Sequence, residues 1–356
     1  MRRRRLGIIL AILLAVPALS LAAPATPYPN DTMLIYPTLT PAQQALFDMT
    51  YQAARRGDTK VDFPEGTLYD DVLVAMLALD DDCPELCAVG NEYTIGYLRD
   101  EPEYANYVQM EYIMPVSRQE ELIAAAWELA DQAYGSEFQR EWFLHDRLCQ
   151  RVAYDEEAEQ RHNAWGALME GRAVCDGYAR ALTLLWRMSY LPCGVVHGQM
   201  AADGEWSDHA WNLVRVSGQW AMTDATNNDQ DGQGLMTHWY FNVTDAEVAA
   251  DYRREDKWQL PACTDESVGW HARTGKLVTA ENNMEAMVMA ALRALAVQGE
   301  PLNLRFARQE DYLSLKENLD AWIARYQAQA APGEQLTADT RLFADEALRC
   351  VLVDLR

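Results

Sequence analysis

Cys175, His209 and Asp224 are the residues of this 356-residue chain whose types and order suit nucleophilic acyl chemistry. Cys175 stands in Gly171-Arg172-Ala173-Val174-Cys175-Asp176-Gly177-Tyr178-Ala179, directly before the apolar run 178–191, which reads as a buried helix. A cysteine in the first turn of a helix points its sulfur at unpaired backbone N–H groups. The positive end of the helix dipole there favours thiolate over thiol. The same amides can hold the oxyanion that forms when a thiolate attacks a carbonyl. Gly177 would keep the approach to the sulfur uncluttered. Taken singly, Cys175 also fits a small core cysteine opening a buried helix.

The partners follow on what reads as an antiparallel hairpin. Residues 209–216 alternate as a strand, Ser217-Gly218 forms a two-residue turn, and 219–224 return. If Val216 faces Gln219, then Trp211 faces Asp224 and His209 faces Thr226. His209 and Asp224 then share a face as diagonal neighbours, about 7–8 Å apart at the backbone, a gap that imidazole and carboxylate can bridge. The carboxylate would hold one ring nitrogen and leave the other for the thiol.

The remaining chemistry-bearing residues point elsewhere. Asn227-Asn228-Asp229-Gln230-Asp231-Gly232 is rich in oxygen but lacks the spaced ligands and terminal Glu of a calcium loop, and reads as a solvated loop. His145, His197, His238 and His271 show no HExxH-type pairing, so no metal or other cofactor is expected. The seven cysteines, at positions 83, 87, 149, 175, 193, 263 and 350, leave six besides Cys175, enough for up to three disulfides in an oxidising compartment. Cys83-Pro84-Glu85-Leu86-Cys87 is one residue too long for a CxxC motif, leaving a local disulfide or two free thiols. Cys193 reads as a core thiol.

The elements that must position these residues lie in an α+β pattern. Arg2–Arg5, an apolar run over 6–21 and small residues after it read as an export signal within 1–25, with cleavage near Ala22 or Ala25. A retained N-terminal anchor is the alternative, although the run is short for a span of about 20 residues. After a Pro-rich leader, an N-terminal α/β unit is expected over 26–116. Its helix is capped at Thr40-Pro41, and its two β-rich runs, 92–98 and 107–113, flank a polar segment. A helix-rich catalytic unit should cover 117–268, with Ser117 and Glu120 in capping-box spacing and a helix over 137–151. A small αβαβ unit should cover 269–356, with helices over 280–296 and 309–327 and strands over 302–307 and 347–355. The chain carries 30 basic and 54 acidic residues, a net charge of −24. Such acidity excludes nucleic acid and anionic membrane surfaces as partners.

Val174-Cys175-Asp176-Gly177-Tyr178-Ala179, His209-Ala210-Trp211-Asn212 and Asp224-Ala225-Thr226 together resemble the transglutaminase-like superfamily, in particular its bacterial exported members. His145-Asp146-Arg147-Leu148 and Val152-Ala153-Tyr154-Asp155 resemble the segment that precedes the cysteine there. The similarity covers about residues 140–250. It implies a papain-like α+β core, a helix bearing the cysteine packed on an antiparallel sheet, with Cys175, His209 and Asp224 as its Cys-His-Asp triad. Trp165 and Tyr154 are candidates for a further oxyanion donor. Asp176 stands where the animal cross-linking enzymes carry Trp, and the paired CxxC motifs of the glycan-removing relatives are missing, so neither of those activities is implied. The expectation is an exported, secreted or cell-surface cysteine peptidase, amidase or transamidase acting on peptides, surface proteins or peptidoglycan stems, with no stable membrane insertion after cleavage. The rival is a non-catalytic surface-binding or assembly module of the same fold.

Overall fold

The computed structural model describes residues 26–202, 204–230 and 235–355, so the segment 1–25 expected to hold an export signal lies outside the described residues. The chain opens with α1 (Pro41–Arg56), β1 (Lys60–Asp62), α2 (Tyr69–Asp82), β2 (Val89–Leu98) and β3 (Glu101–Tyr112). Thr40 and Gln43 cap α1 reciprocally and Pro41 takes its first position, as the sequence suggests. β3 lies between β1 and β2, antiparallel to both. The polar segment 99–106 between the two β-rich runs is mostly strand, because the connection needs only Arg99 and Asp100.

The middle of the chain contributes α3 (Ser117–Ala130), α4 (Glu137–Cys149), β4 (Ala153–Tyr154), β5 (Arg172–Ala173), α5 (Cys175–Met188), β6 (Cys193–Ala202), β7 (Glu205–Val216), β8 (Gln219–Thr223), α6 (Ala225–Asn228), β9 (Asp229–Gln230), β10 (Leu235–Met236), β11 (Phe241–Val243) and β12 (Tyr252–Arg254). The expected box at Ser117 and Glu120 does not form, since α3 starts from Val116 without a side-chain cap and Glu120 instead pairs with Arg55. A capping box does form at α4, between Ser136 and Gln139. A five-stranded antiparallel sheet, ordered β11-β8-β7-β6-β12, carries α5 on one face. Asn212 of β7 fastens the two layers, its Nδ2 donating to Ala179 O at 2.9 Å and Thr183 Oγ1 at 2.8 Å.

The rest comprises α7 (Trp270–Arg273), β13 (Leu277–Val278), α8 (Met284–Gln298), β14 (Leu302–Phe306), α9 (Gln309–Glu317), α10 (Leu319–Gln329), β15 (Thr340–Asp345) and β16 (Cys350–Leu355). The strands form one sheet ordered β13-β14-β16-β15. The single helix expected over 309–327 is two, interrupted at Asn318, whose Nδ2 turns back to Ser314 O at 3.2 Å. β15 has no counterpart in the sequence reading. Val288, Leu292, Phe306, Tyr312 and Val351 form a core of their own there, while Phe47, Leu79, Val108, Leu144, Trp186 and Trp211 belong to one larger core.

A buried ion pair locks the front of the chain to α5. Asp82 and Arg187 are both fully buried, 2.7 Å apart. The Asp82 carboxylate also takes the N–H groups of Leu34, Ile35 and Tyr36, at 3.1, 2.9 and 2.6 Å, and Arg187 donates to Cys193 O at 2.7 Å. No helix among the described residues is long and apolar enough to cross a membrane. Removing one partner of such a pair strands a buried charge, so Asp82→Ala should cost about 3–5 kcal/mol of stability in urea unfolding at pH 7. A cost under about 1 kcal/mol would show that the pair does not hold α5 in place.

Candidate active site

Cys175 is the first residue of α5, where helix geometry leaves the leading N–H groups without intrahelical acceptors. The sulfur-bearing residue is half-buried and packs against Ala179, Val195 and Ala210. The loop before it closes onto the helix start, with Val174 N–H donating to Arg161 O at 3.0 Å. A Cβ on Gly177 would meet Arg161 O at 2.4 Å. Glycine is therefore needed there to let that loop pack.

The hairpin has the expected register at its turn. Ser217 and Gly218 both have positive φ, 54° and 80°, which suits a two-residue turn between right-twisted strands. Val216 faces Gln219, and the ladder runs on to Asn212 facing Thr223. There β8 ends. Asp224 caps α6 instead, its Oδ1 accepting Asn227 N–H at 3.1 Å, so neither Trp211 nor His209 gains the cross-strand neighbour expected on β8. His209 pairs with Gly198 of β6. The end of β8 nevertheless delivers the contact, with His209 Nε2 donating to Asp224 Oδ2 at 2.6 Å. Cys175 lies close enough to the same imidazole to help raise its pKa. Since Nε2 serves Asp224, Nδ1 is the nitrogen left for sulfur.

Electrostatics follow from burial and these contacts. Asp224 is fully buried, and Oδ2 also accepts Tyr252 OH at 2.8 Å and Asn227 Nδ2 at 2.8 Å. Burial alone would raise its pKa; the charge and hydrogen bond of His209, with Tyr252 and Asn227, bring it below the usual carboxylate value. Burial pulls the His209 pKa down, but the charge and hydrogen bond of Asp224, supplemented by Cys175, push it up to about 10. The other six cysteines are free and buried, and burial raises each thiol's pKa. No disulfide joins any of the seven, so of the two alternatives left open for Cys83 and Cys87 the pair is two free thiols. Several are tied locally, Cys193 Sγ to Thr183 O at 3.5 Å and Cys149 Sγ to Ala225 O at 3.6 Å.

Other residues singled out by sequence fall differently. Trp165 gives its indole N–H to Glu170 Oε1 at 3.0 Å, which removes it as an oxyanion donor. Tyr154 lies close enough to Cys175 for that residue's charge to raise its pKa, after burial as the larger cause. Asp176 is bonded to Arg180 Nε at 2.9 Å and approaches His197 Nε2 at 3.3 Å. Burial lowers the His197 pKa, but Asp176 and Asp81 outweigh it and lift it to about 9. Tyr252 was missed as a partner of Asp224 because nothing in its local sequence marks a contact 28 residues away, whereas Asn227, three residues on, is a local contact that reading Asp224 as a helix N-cap would have found.

His145, Asp146 and His238 place three donor atoms within 4.8 Å, a spacing that a metal ion could use and that no local motif signals. Hydrogen bonds already commit this cluster. Asn228 Oδ1 accepts Tyr240 N–H at 2.8 Å, so its Nδ2 donates to His145 Nε2 at 3.1 Å. His145 therefore carries its proton on Nδ1 and gives it to Asp146 Oδ1 at 2.9 Å. With that nitrogen protonated, the set is a poor metal site. Asn228 belongs to α6, so the cluster steadies the helix that Asp224 caps.

Residues 128–225, which include all three candidate residues, match the transglutaminase-like superfamily, and this segment of the chain belongs to it. Among curated proteins, the kyphoscoliosis peptidases of Mus musculus and Homo sapiens are 28% and 27% identical over 139 residues, about 32% of this chain. The chain spans only 20% of the length of those relatives. Among solved structures, a transglutaminase (TGase) aligns at 14% identity with a TM-score of 0.31, over 63% of this chain and 59% of that one. The periplasmic domain of TgpA from Pseudomonas aeruginosa aligns at 19% identity with a TM-score of 0.23, over 35% and 55%.

The folded pKa of His209 lies above its ordinary value near 6.5. Its protonation therefore stabilises the fold fully below about pH 6.5, and that contribution fades as pH rises to about 10. Asp224→Asn should drop the imidazole titration, followed by NMR, from about 10 to below 6.5, because burial then acts with less opposition. A titration still near 10 would mean that Asp224 is not the source of the shift.

Proposed function

We propose that the chain is an exported cysteine enzyme that cleaves or transfers amide acyl groups through a thioester at Cys175. The observation that carries this reading is one imidazole, His209, bonded to a buried carboxylate at 2.6 Å and close enough to a cysteine at a helix start for that cysteine to help raise its pKa. His209 takes the thiol proton, and the sulfur attacks the substrate carbonyl carbon. The resulting oxyanion faces the leading N–H groups of α5. As the C–N bond breaks, the imidazolium returns its proton to the departing amine, leaving a thioester on Cys175. Water then attacks the thioester carbonyl, gives its proton to His209, and expels the sulfur as the C–S bond breaks. An amine acceptor in place of water would yield a new amide. Asp224 holds the ring and its charge throughout.

The superfamily match over residues 128–225 and the peptidase names of the two curated relatives support an acyl substrate of peptide type. The signal-like segment supports export, which makes surface proteins and cell-wall peptides the natural targets. Nucleic acid is not a partner of so acidic a chain.

Iodoacetamide tests the chemistry directly. The six other thiols are buried with raised pKa values, so labelling below pH 8 should fall on Cys175 alone and vanish in Cys175→Ala. A labelling curve following an ordinary thiol near pH 8.5 would remove the case for an activated nucleophile. Peptide-library incubation with and without a primary amine, read by mass spectrometry, should then separate hydrolysis from transfer.

A further inference from the structure

The β6–β7 hairpin runs on past Cys175, and its face there carries residues that the acyl chemistry leaves unused. Val195 of β6 and Ala210 and Asn212 of β7 face α5, by packing against Ala179 and by hydrogen bonding to Ala179 O. Side chains two apart along a strand share a face. The same face therefore continues, beyond the start of α5, through Gln199 on β6 and Asp208 and Trp206 on β7, in the register Gln199–Asp208 and Ala201–Trp206. β12 adds Arg253, paired with Gln199. His209 and Tyr252 lie one residue out of phase and belong to the other face.

Arg253 stacks on Trp206, its Cζ 3.7 Å from the indole centroid. Arg253 is exposed and Trp206 half-buried. Stacking holds the guanidinium flat, so that its N–H edges point away from the ring and remain suited to a carboxylate. At about 3.3 Å per residue, Trp206 lies roughly 13 Å along β7 from Ala210, which packs beside Cys175. An extended substrate covers that distance in about four residues. The chain as a whole carries −24 and repels acidic peptides, so attraction for an acid at one position needs a local cation.

We propose that this face is a substrate ledge, and that the Trp206–Arg253 pair is a subsite for a glutamate or aspartate side chain about four residues from the bond attacked. The proposal rests on the reading of Cys175 as nucleophile, and its test is kept separate from turnover.

The inactive Cys175→Ala chain is titrated by fluorescence anisotropy with two labelled octapeptides, alternating Ala-Glu and alternating Ala-Gln. The Ala-Glu peptide should bind about tenfold more tightly at low salt, as expected for a charge-assisted bidentate contact. Arg253→Ala should abolish the difference, and Arg253→Glu should reverse it. Equal affinities for the two peptides, or a preference that survives Arg253→Glu, would overturn the subsite. Iodoacetamide labelling of Cys175 in the otherwise wild-type Arg253 variants should be unchanged, so a failed catalytic reading would show there and not in the binding curves.

Discussion

A carboxylate sealed from water is the constraint on which the rest of the site depends. Burying the ionised Asp224 would cost several kcal/mol if it stood alone. It is held by His209 Nε2, Tyr252 OH and both the side-chain and backbone N–H groups of Asn227. That set of donors keeps the group charged, and the charge dictates the rest. It fixes the imidazole with Nε2–H toward Asp224, raises the basicity of His209 and leaves Nδ1 for the thiol of Cys175.

Holding such a carboxylate requires a rigid mount, and the fold supplies one away from the reacting atoms. α6, capped by Asp224, is pinned through Asn228 to His145 and Asp146 of α4. The following strand is pinned through Asp229 to the hydroxyl of Tyr178 on α5 at 2.8 Å. Asp224 and Cys175 are thereby referred to the same pair of packed helices. On the other side, Asp176, Arg180 and His197 tie the first turn of α5 to β6.

The local parts of this site were legible in the sequence. A cysteine before an apolar run and a Ser-Gly turn between alternating residues carry their own geometry, and the ladder from Val216 to Asn212 follows from the turn alone. What could not be read is where a strand stops. Asp224 continues the alternation of β8 on paper, yet its side chain does better capping α6, and so the contact with His209 arises at a strand end and not across a ladder. Tyr252 and the His145–Asp146–His238 cluster were invisible for a related reason: their partners lie 28 and up to 92 positions away, with no periodicity linking them. At Gly177 the sequence shows a small residue beside a sulfur and conceals the loop carbonyl that also needs the space.

The disulfide expectation met a similar limit. Six extra cysteines in a chain with a signal-like first segment leave room for bridges, but a chain of this size can fill its core with thiols as small apolar side chains, and these are buried. The mixed α+β architecture around Cys175, His209 and Asp224, by contrast, was legible from three short blocks.

The central claim is that one sulfur, activated by one imidazole, carries the acyl group. Rapid mixing of the protein with an activated acyl ester, acid quenching and peptide mapping by mass spectrometry should place the acyl mass on the peptide containing Cys175, removable by neutral hydroxylamine and absent in His209→Ala. Acyl mass on another residue, or equal labelling of Cys175 without His209, would contradict the account.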